Sequence, residues 1–203
     1  MTLPSRFYPV VPDAAWVRRV ALAGARFVQL RLKDATEDEI RRQAAEADAA
    51  CRAEGATLVL NDHWRVAIEL RLDWLHLGQE DLLEADLPAI RAAGLRLGVS
   101  THSHEELEAA LAARPDYVAL GPVYPTTLKK MPWAPQGLER LGEWKRRIGA
   151  LPLVAIGGIS LERAAGCLAA GADAVAVVSD VVNHPAPEQR VAEWRALDGA
   201  APG

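Results

Sequence analysis

A helix that closes at glycine and passes directly into a short apolar run recurs along this 203-residue chain. In the clearest copy, "TEDEIRRQAAEADAACRAEG", Thr36 and Glu39 have capping-box spacing, Gly55 marks the end, and "ATLVLND" follows. "ALAG" before "ARFVQL", "IRAAG" before "LRLGVS" and "CLAAG" before "ADAVAVVS" repeat it, and "LAARP" before "DYVALGPV" is a version punctuated by proline. The strand candidates are "RFYPVV", "RFVQLR", "TLVLND", "WLHLG", "RLGVST", "YVALGPV", "PLVAIGGI" and "AVAVVS". Near-continuous apolar strands between amphipathic helices call for a parallel sheet covered on its outer side, and eight units point to a closed (β/α)8 TIM barrel, one α/β domain over residues 1–203. An open doubly wound sheet is the alternative, disfavoured by even spacing and by the lack of a G-x-G-x-x-G after the first strand.

Composition narrows the function class. Half the residues are apolar, a quarter are charged and the formal net charge is -4, which suits a globular protein and argues against a broad nucleic-acid-binding face. No apolar run approaches the ~20 residues of a membrane span. Pro4, Arg6, Pro9 and Pro12 interrupt any apolar leader, so a cytoplasmic protein is expected. Cys51 and Cys167 have no metal-ligand spacing and read as core-filling thiols.

In a TIM barrel the active site lies at the C-terminal ends of the strands. "FVQLRLK" sets Gln29, Arg31 and Lys33 at alternate positions, so a continuing strand would turn all three to one face, either a solvated face or the mouth of an anion site. Asn61 and Asp62, Gln79 and Asp81, Ser100, Thr126, Thr127 and Lys129 follow other strands. "AIGGIS" puts Gly157 and Gly158 before a helix with Ser160 at its N-cap, and Ser179 ends the next strand; together they suggest a phosphate site, although a glycine pair also serves a plain tight turn. Asp62 and Asp81 suit a hard cation such as Mg²⁺, with a helix cap and a solvated turn as their structural alternatives.

The remaining polar and aromatic candidates read as structural. His102 and His104 in "THSH" fall at a helix start, because Ser103 and Glu106 form a capping box; His76 reads as a hydrogen-bonded core or rim histidine. The six tryptophans are scattered and are expected to pack helices onto the barrel. The proline-rich connection at 124–135 is a candidate active-site lid.

Taken in order, "QLRLK", "LND", "HLGQED", "GVSTHS", "GPVYPTTLKK", "PQGLERL", "AIGGIS" and "AVVS" resemble the thiamine phosphate synthase family over nearly the whole chain. The resemblance implies a Mg²⁺-dependent enzyme that joins two phosphorylated small molecules, a hydroxymethylpyrimidine diphosphate and a (carboxy)thiazole phosphate, giving thiamine phosphate and pyrophosphate. It implies that Gln29, Leu30, Arg31, Leu32, Lys33, Asn61, Ser100 and Lys129 bind the pyrimidine diphosphate. Among these, Arg31, Lys33, Lys129 and Ser100 would be catalytic, and Asp62 and Asp81 would hold Mg²⁺. Thr126, Thr127, Leu128, Gly158, Val178 and Ser179 would bind the thiazole phosphate. Two positions depart from the family pattern: Leu128 stands where a threonine is usual, and His63 where an acidic residue is usual. A thiazole tautomerase-like paralogue and a non-catalytic ligand-binding barrel are the competing readings, and homo-oligomer formation is left open.

Overall fold

The computed structural model describes residues 2–126 and 134–199. Among them, β1 (Phe7–Val11), β2 (Phe27–Leu30), β3 (Thr57–Asn61), β4 (Trp74–Leu77), β5 (Arg96–Thr101), β6 (Tyr117–Leu120), β7 (Leu153–Ile156) and β8 (Ala174–Val177) form a closed barrel in sequence order. Every pairing is parallel, and the β1–β8 pairing, with Phe7 opposite Val175, completes the ring. This closure excludes the open sheet.

The near-continuous apolar strands have a simple cause: both faces are buried. One set of alternate positions, including Val28, Leu58, Leu60, Leu75 and Val118, packs against the helix layer. The other set fills the barrel, with the rings of Tyr8, Phe27, Trp74 and Tyr117 set among small Ala119, Ala174 and Ala176. Trp74 therefore corrects the expectation that the tryptophans pack helices; Trp144 and Trp194 do so, while Trp133 lies outside the described residues. Gly98 on β5 makes room for the Tyr117 ring, since a Cβ there would stand 2.0 Å from Tyr117 Cζ.

The helices follow their local signals. Among the described residues they are α1 (Ala14–Leu22), α2 (Glu37–Ala53), α3 (Trp64–Glu69), α4 (Gln79–Glu84), α5 (Leu87–Ala92), α6 (His104–Ala112), α7 (Gly137–Ile148), α8 (Leu161–Ala169), α9 (Ser179–Val182) and α10 (Pro187–Gly199). Thr36 Oγ1 accepts from Glu39 N at the start of α2, and Ser103 Oγ accepts from Glu106 N at the start of α6. Glu106 then reaches back to the His102 amide, 2.7 Å away. The short α9 is tied to α10 by an Arg190–Asp180 ion pair of 2.8 Å, whose side chains are 11% and 13% exposed. Trp194 Nε1 donates to the same carboxylate. Among the described residues no helix is long and apolar enough to cross a membrane.

Candidate active site

The inward positions nearest the C-terminal ends of β2 to β5 carry Gln29, Asn61, His76 and Ser100 in place of the apolar residues deeper in the barrel. β2 ends at Leu30, and Arg31 retains one strand-like bond, its N–H donating to Val11 O at 2.9 Å. Beyond it the alternation expected for "FVQLRLK" stops: Lys33 is exposed and Asp34 takes a φ of 53°. Lys33 is therefore a residue of the loop after β2. Leu30 and Leu32 are buried in the helix-facing core, which leaves only their backbone to meet a ligand at the rim. Arg31 is half-buried and its guanidinium makes no hydrogen bond or ion pair among the described residues. Its charge lowers the proton affinity of both Asp62 and His76, which places it beside them.

Asp62 and Asp81, 19 positions apart in the chain, meet at this flank. Asp62 has a left-handed backbone (φ 67°), accepts a short hydrogen bond from Asn61 Nδ2 and shares a hydrogen bond with the Asp81 carboxyl. Burial, then the charge of Asp81 and that shared hydrogen bond, push the Asp62 carboxyl up to about 6, against the opposing pull of Arg31. Neither structural alternative holds for the pair: the N-cap of α3 is His63, and Asp81 lies in the first turn of α4. Two carboxyl groups joined by a hydrogen bond fit a hard dication, which would take the place of the Asp62 proton. A cleft of about 290 Å³ lined by Glu37, Asp62, His63, Asp81 and Glu84 adjoins them. Among the described residues no cluster of three or more His, Cys, Asp or Glu side chains is placed to hold a metal. That donor count suits Mg²⁺, which usually takes one or two carboxylates and completes its shell with water and phosphate oxygens.

A buried polar chain crosses the barrel below this rim. Gln29 Nε2 donates to Tyr8 Oη at 2.8 Å, Tyr8 Oη lies 2.9 Å from Tyr117 Oη, and Tyr117 Oη lies 2.8 Å from His76 Nδ1. His76 Nε2 is 2.8 Å from Ser100 Oγ. Burial pushes the His76 imidazolium down to about 4, so the ring is neutral. Tyr8 and Tyr117 are the members that sequence reasoning missed. Their signal was a tyrosine at an inward strand position, where a buried hydroxyl needs a partner. His102, just before α6, instead pairs with Glu106 of α6, and His104, the first residue of α6, pairs with Glu143 of α7.

On the opposite flank β7 and β8 end side by side, with Ile156 opposite Ala176. Gly157 and Gly158 have φ values of 96° and 65°, and a Cβ on Gly158 would stand 2.4 Å from Pro125 O. Both the backbone geometry and the close approach of Pro122 to Gly157 and of residues 124–125 to Gly158 exclude larger side chains. Ser160 occupies the N-cap position of α8, as expected, but makes no side-chain capping bond; its hydroxyl instead bonds Glu162. Arg163 Nη1 donates to Gly158 O at 2.6 Å, and its guanidinium sits 4.6 Å from the centre of the Tyr124 ring. Half-buried Val178 and exposed Ser179 follow β8, and half-buried Thr126 follows the segment packed on the glycines. Thr127, Leu128 and Lys129 lie outside the described residues, as does the 127–133 part of the loop.

Comparison with known proteins agrees with this architecture. The profile of the family described as "Thiamine monophosphate synthase" matches residues 7–181. A thiamine-phosphate synthase of Rhizobium etli is 57% identical over 94% of this chain and 93% of its own length. One from Neisseria meningitidis serogroup A is 50% identical over 96% of this chain and 95% of its own. Among solved structures, a thiamine phosphate pyrophosphorylase from Pyrococcus furiosus superposes with a TM-score of 0.85 at 28% identity, covering 97% of this chain and 96% of that one. From its matching sequence and its closed barrel, this chain belongs to the thiamine monophosphate synthase family.

Proposed function

We infer that the protein is a thiamine-phosphate synthase, a transferase of thiamine biosynthesis. It joins 4-amino-2-methyl-5-hydroxymethylpyrimidine diphosphate to a thiazole phosphate or its carboxylated form, with release of pyrophosphate. The observation that carries this reading is one rim with two unlike flanks: Arg31 beside the Asp62–Asp81 pair, and the glycine-lined ends of β7 and β8. Each flank suits one phosphorylated group. A thiazole tautomerase has no diphosphate to hold and gives no reason for the first flank.

Arg31 and Lys33 are assigned to the diphosphate, where their charge stabilises the oxygens that gain electrons as the carbon–oxygen bond breaks. The bonding pair leaves with pyrophosphate and the aminopyrimidine bears the positive charge on its exocyclic methylene. The thiazole nitrogen then gives its lone pair to that carbon. That nitrogen carries no proton, so no general base is required to make it nucleophilic. Gln29, Asn61 and Ser100 orient the pyrimidine, while Gly158, Thr126, Val178 and Ser179 are assigned to the thiazole phosphate. Lys129 and the loop at 124–135 are assigned, from sequence alone, to the diphosphate and to excluding water from the cation. Bound at Asp62 and Asp81, Mg²⁺ would supply neutralisation of diphosphate charge. A cytoplasmic location accords with this role and with two free, buried cysteines.

The test is pyrophosphate release. Release is expected only with both substrates and Mg²⁺ present, and its absence under those conditions would overturn the assignment.

The metal assignment has a separate readout. Because the folded-state affinity of Asp62 for a proton is raised, its protonation stabilises the metal-free protein fully below about pH 4, and that contribution is lost as pH rises through about 6. Mg²⁺ replaces the proton, so saturating Mg²⁺ should raise the melting temperature by roughly 4 °C at about pH 7.5 and hardly at all at about pH 5. Equal shifts at the two pH values, or a full shift in Asp81→Asn, would remove the metal from this pair.

A further inference from the structure

We propose that Tyr8, Tyr117 and His76 are positioning residues that lock the hydrogen-bond polarity of Gln29 and Ser100, and thereby select a 4-aminopyrimidine over a 4-oxopyrimidine. The inference rests on the synthase reading and adds to it a determinant of substrate choice.

The polarity follows from proton counting. Gln29 donates to Tyr8, so the Tyr8 proton must go to Tyr117, the hydroxyl's other partner among the described residues; pointed elsewhere it would be buried and unpaired. Tyr117 then donates to His76 Nδ1, and the imidazole carries its proton on Nε2 and donates to Ser100 Oγ. At one end of the chain this leaves Gln29 Oε1 and the second Nε2 hydrogen for a ligand. At the other it leaves the Ser100 hydroxyl proton.

A 4-aminopyrimidine edge offers an amino donor beside a ring-nitrogen acceptor, which matches that amide bidentately. A substrate oxygen accepts from Ser100. A 4-oxopyrimidine offers the reverse pattern and would need the Gln29 amide turned over. With the chain intact, turning the amide reverses all four hydrogen bonds, converts His76 to its other tautomer and points the Ser100 lone pairs at the substrate. With the chain cut, Gln29 can turn alone. Tyr117 is the informative link because its hydroxyl bonds neither Gln29 nor Ser100.

The test compares kcat/KM for the 4-amino diphosphate and its 4-oxo analogue in the wild type, Tyr8→Phe and Tyr117→Phe. The wild type should prefer the amino form by at least about a thousandfold. Both variants should lose about tenfold or more of that ratio, with the KM for thiazole phosphate unchanged. A ratio within about twofold of wild type in folded Tyr117→Phe overturns the relay but leaves the synthase assignment standing; a wild type that couples neither pyrimidine overturns both. Nitrogen NMR of histidine in the unmodified protein needs no variant to fold. It should show His76 as the Nε2–H tautomer, and an Nδ1–H tautomer would overturn the proposal.

Discussion

Asp62→Ala is expected to lower coupling by about a thousandfold or more while the barrel stays folded. The carboxylate hydrogen-bonds Asp81 and feels the charge of Arg31, on the flank where leaving-group charge would be neutralised. Truncation leaves a cationic flank with one of its two proposed Mg²⁺ ligands. Alanine at a φ of 67° also brings backbone strain of about 1 kcal/mol, so Asp62→Asn is the cleaner partner variant, because asparagine tolerates that conformation. Asp62→Asn should lose coupling to a similar degree. Its melting temperature without Mg²⁺ at neutral pH should equal or exceed that of the wild type, because the like-charge contact with Asp81 is gone. Pyrophosphate release and thermal melts on both variants check this. Near-wild-type coupling in both would sink the assignment of the acidic pair.

Gly98→Ala, a single added methyl, should lower stability by about 3 kcal/mol or more. The added carbon would meet Cζ, Cε1 and Oη of Tyr117 at 2.0 to 2.4 Å. The ring cannot simply swing away. It packs against Tyr8, Phe27, Trp74 and His76, and its hydroxyl is held by two hydrogen bonds. The natural control is Gly94→Ala, where nothing stands within 4 Å of the new carbon but φ is 75°. That change should lose only about 1 kcal/mol, all of it conformational. Denaturant melts of both variants separate the steric effect from the backbone effect, and equal losses would show that the Tyr117 ring yields.

Much of the candidate site is legible without the fold, because barrel geometry converts position along a strand into position in space. Knowing that the rim lies at the strand C-termini is enough to pick out Gln29, Asn61, Asp62, Ser100 and Gly158. Sequence pattern misleads where it is extended too far. A period of two puts Lys33 on the face of Gln29, but pairing with β1 ends at Arg31 and the chain turns into a loop. Trp74 lies on a strand that is apolar on both faces, and a pattern without alternation does not say which face is inside. The amides and hydroxyls of the interior are harder still. Tyr8 and Tyr117 each look like one more aromatic strand residue until their hydroxyls are seen 2.9 Å apart.

The chain's own periodicity settled that eight strands are separated by helical segments, where five of the ten described helices stop, and which polar residues follow β2 to β8. These are local properties, written in helix caps, glycines that adopt left-handed backbone, and apolar runs a few residues long. Which of those residues touch was decided by closure of the barrel. The pairing of β1 with β8 and the packing of inward rings bring Tyr8 against Tyr117 across 109 positions, and the neighbouring ends of β3 and β4 bring Asp62 to Asp81. Hydrogen bonds and shared protons act over about 3 Å, whereas sequence pattern specifies a face and a level without naming the group opposite. The acidic pair and the polarity of the buried chain are consequences of that three-dimensional meeting.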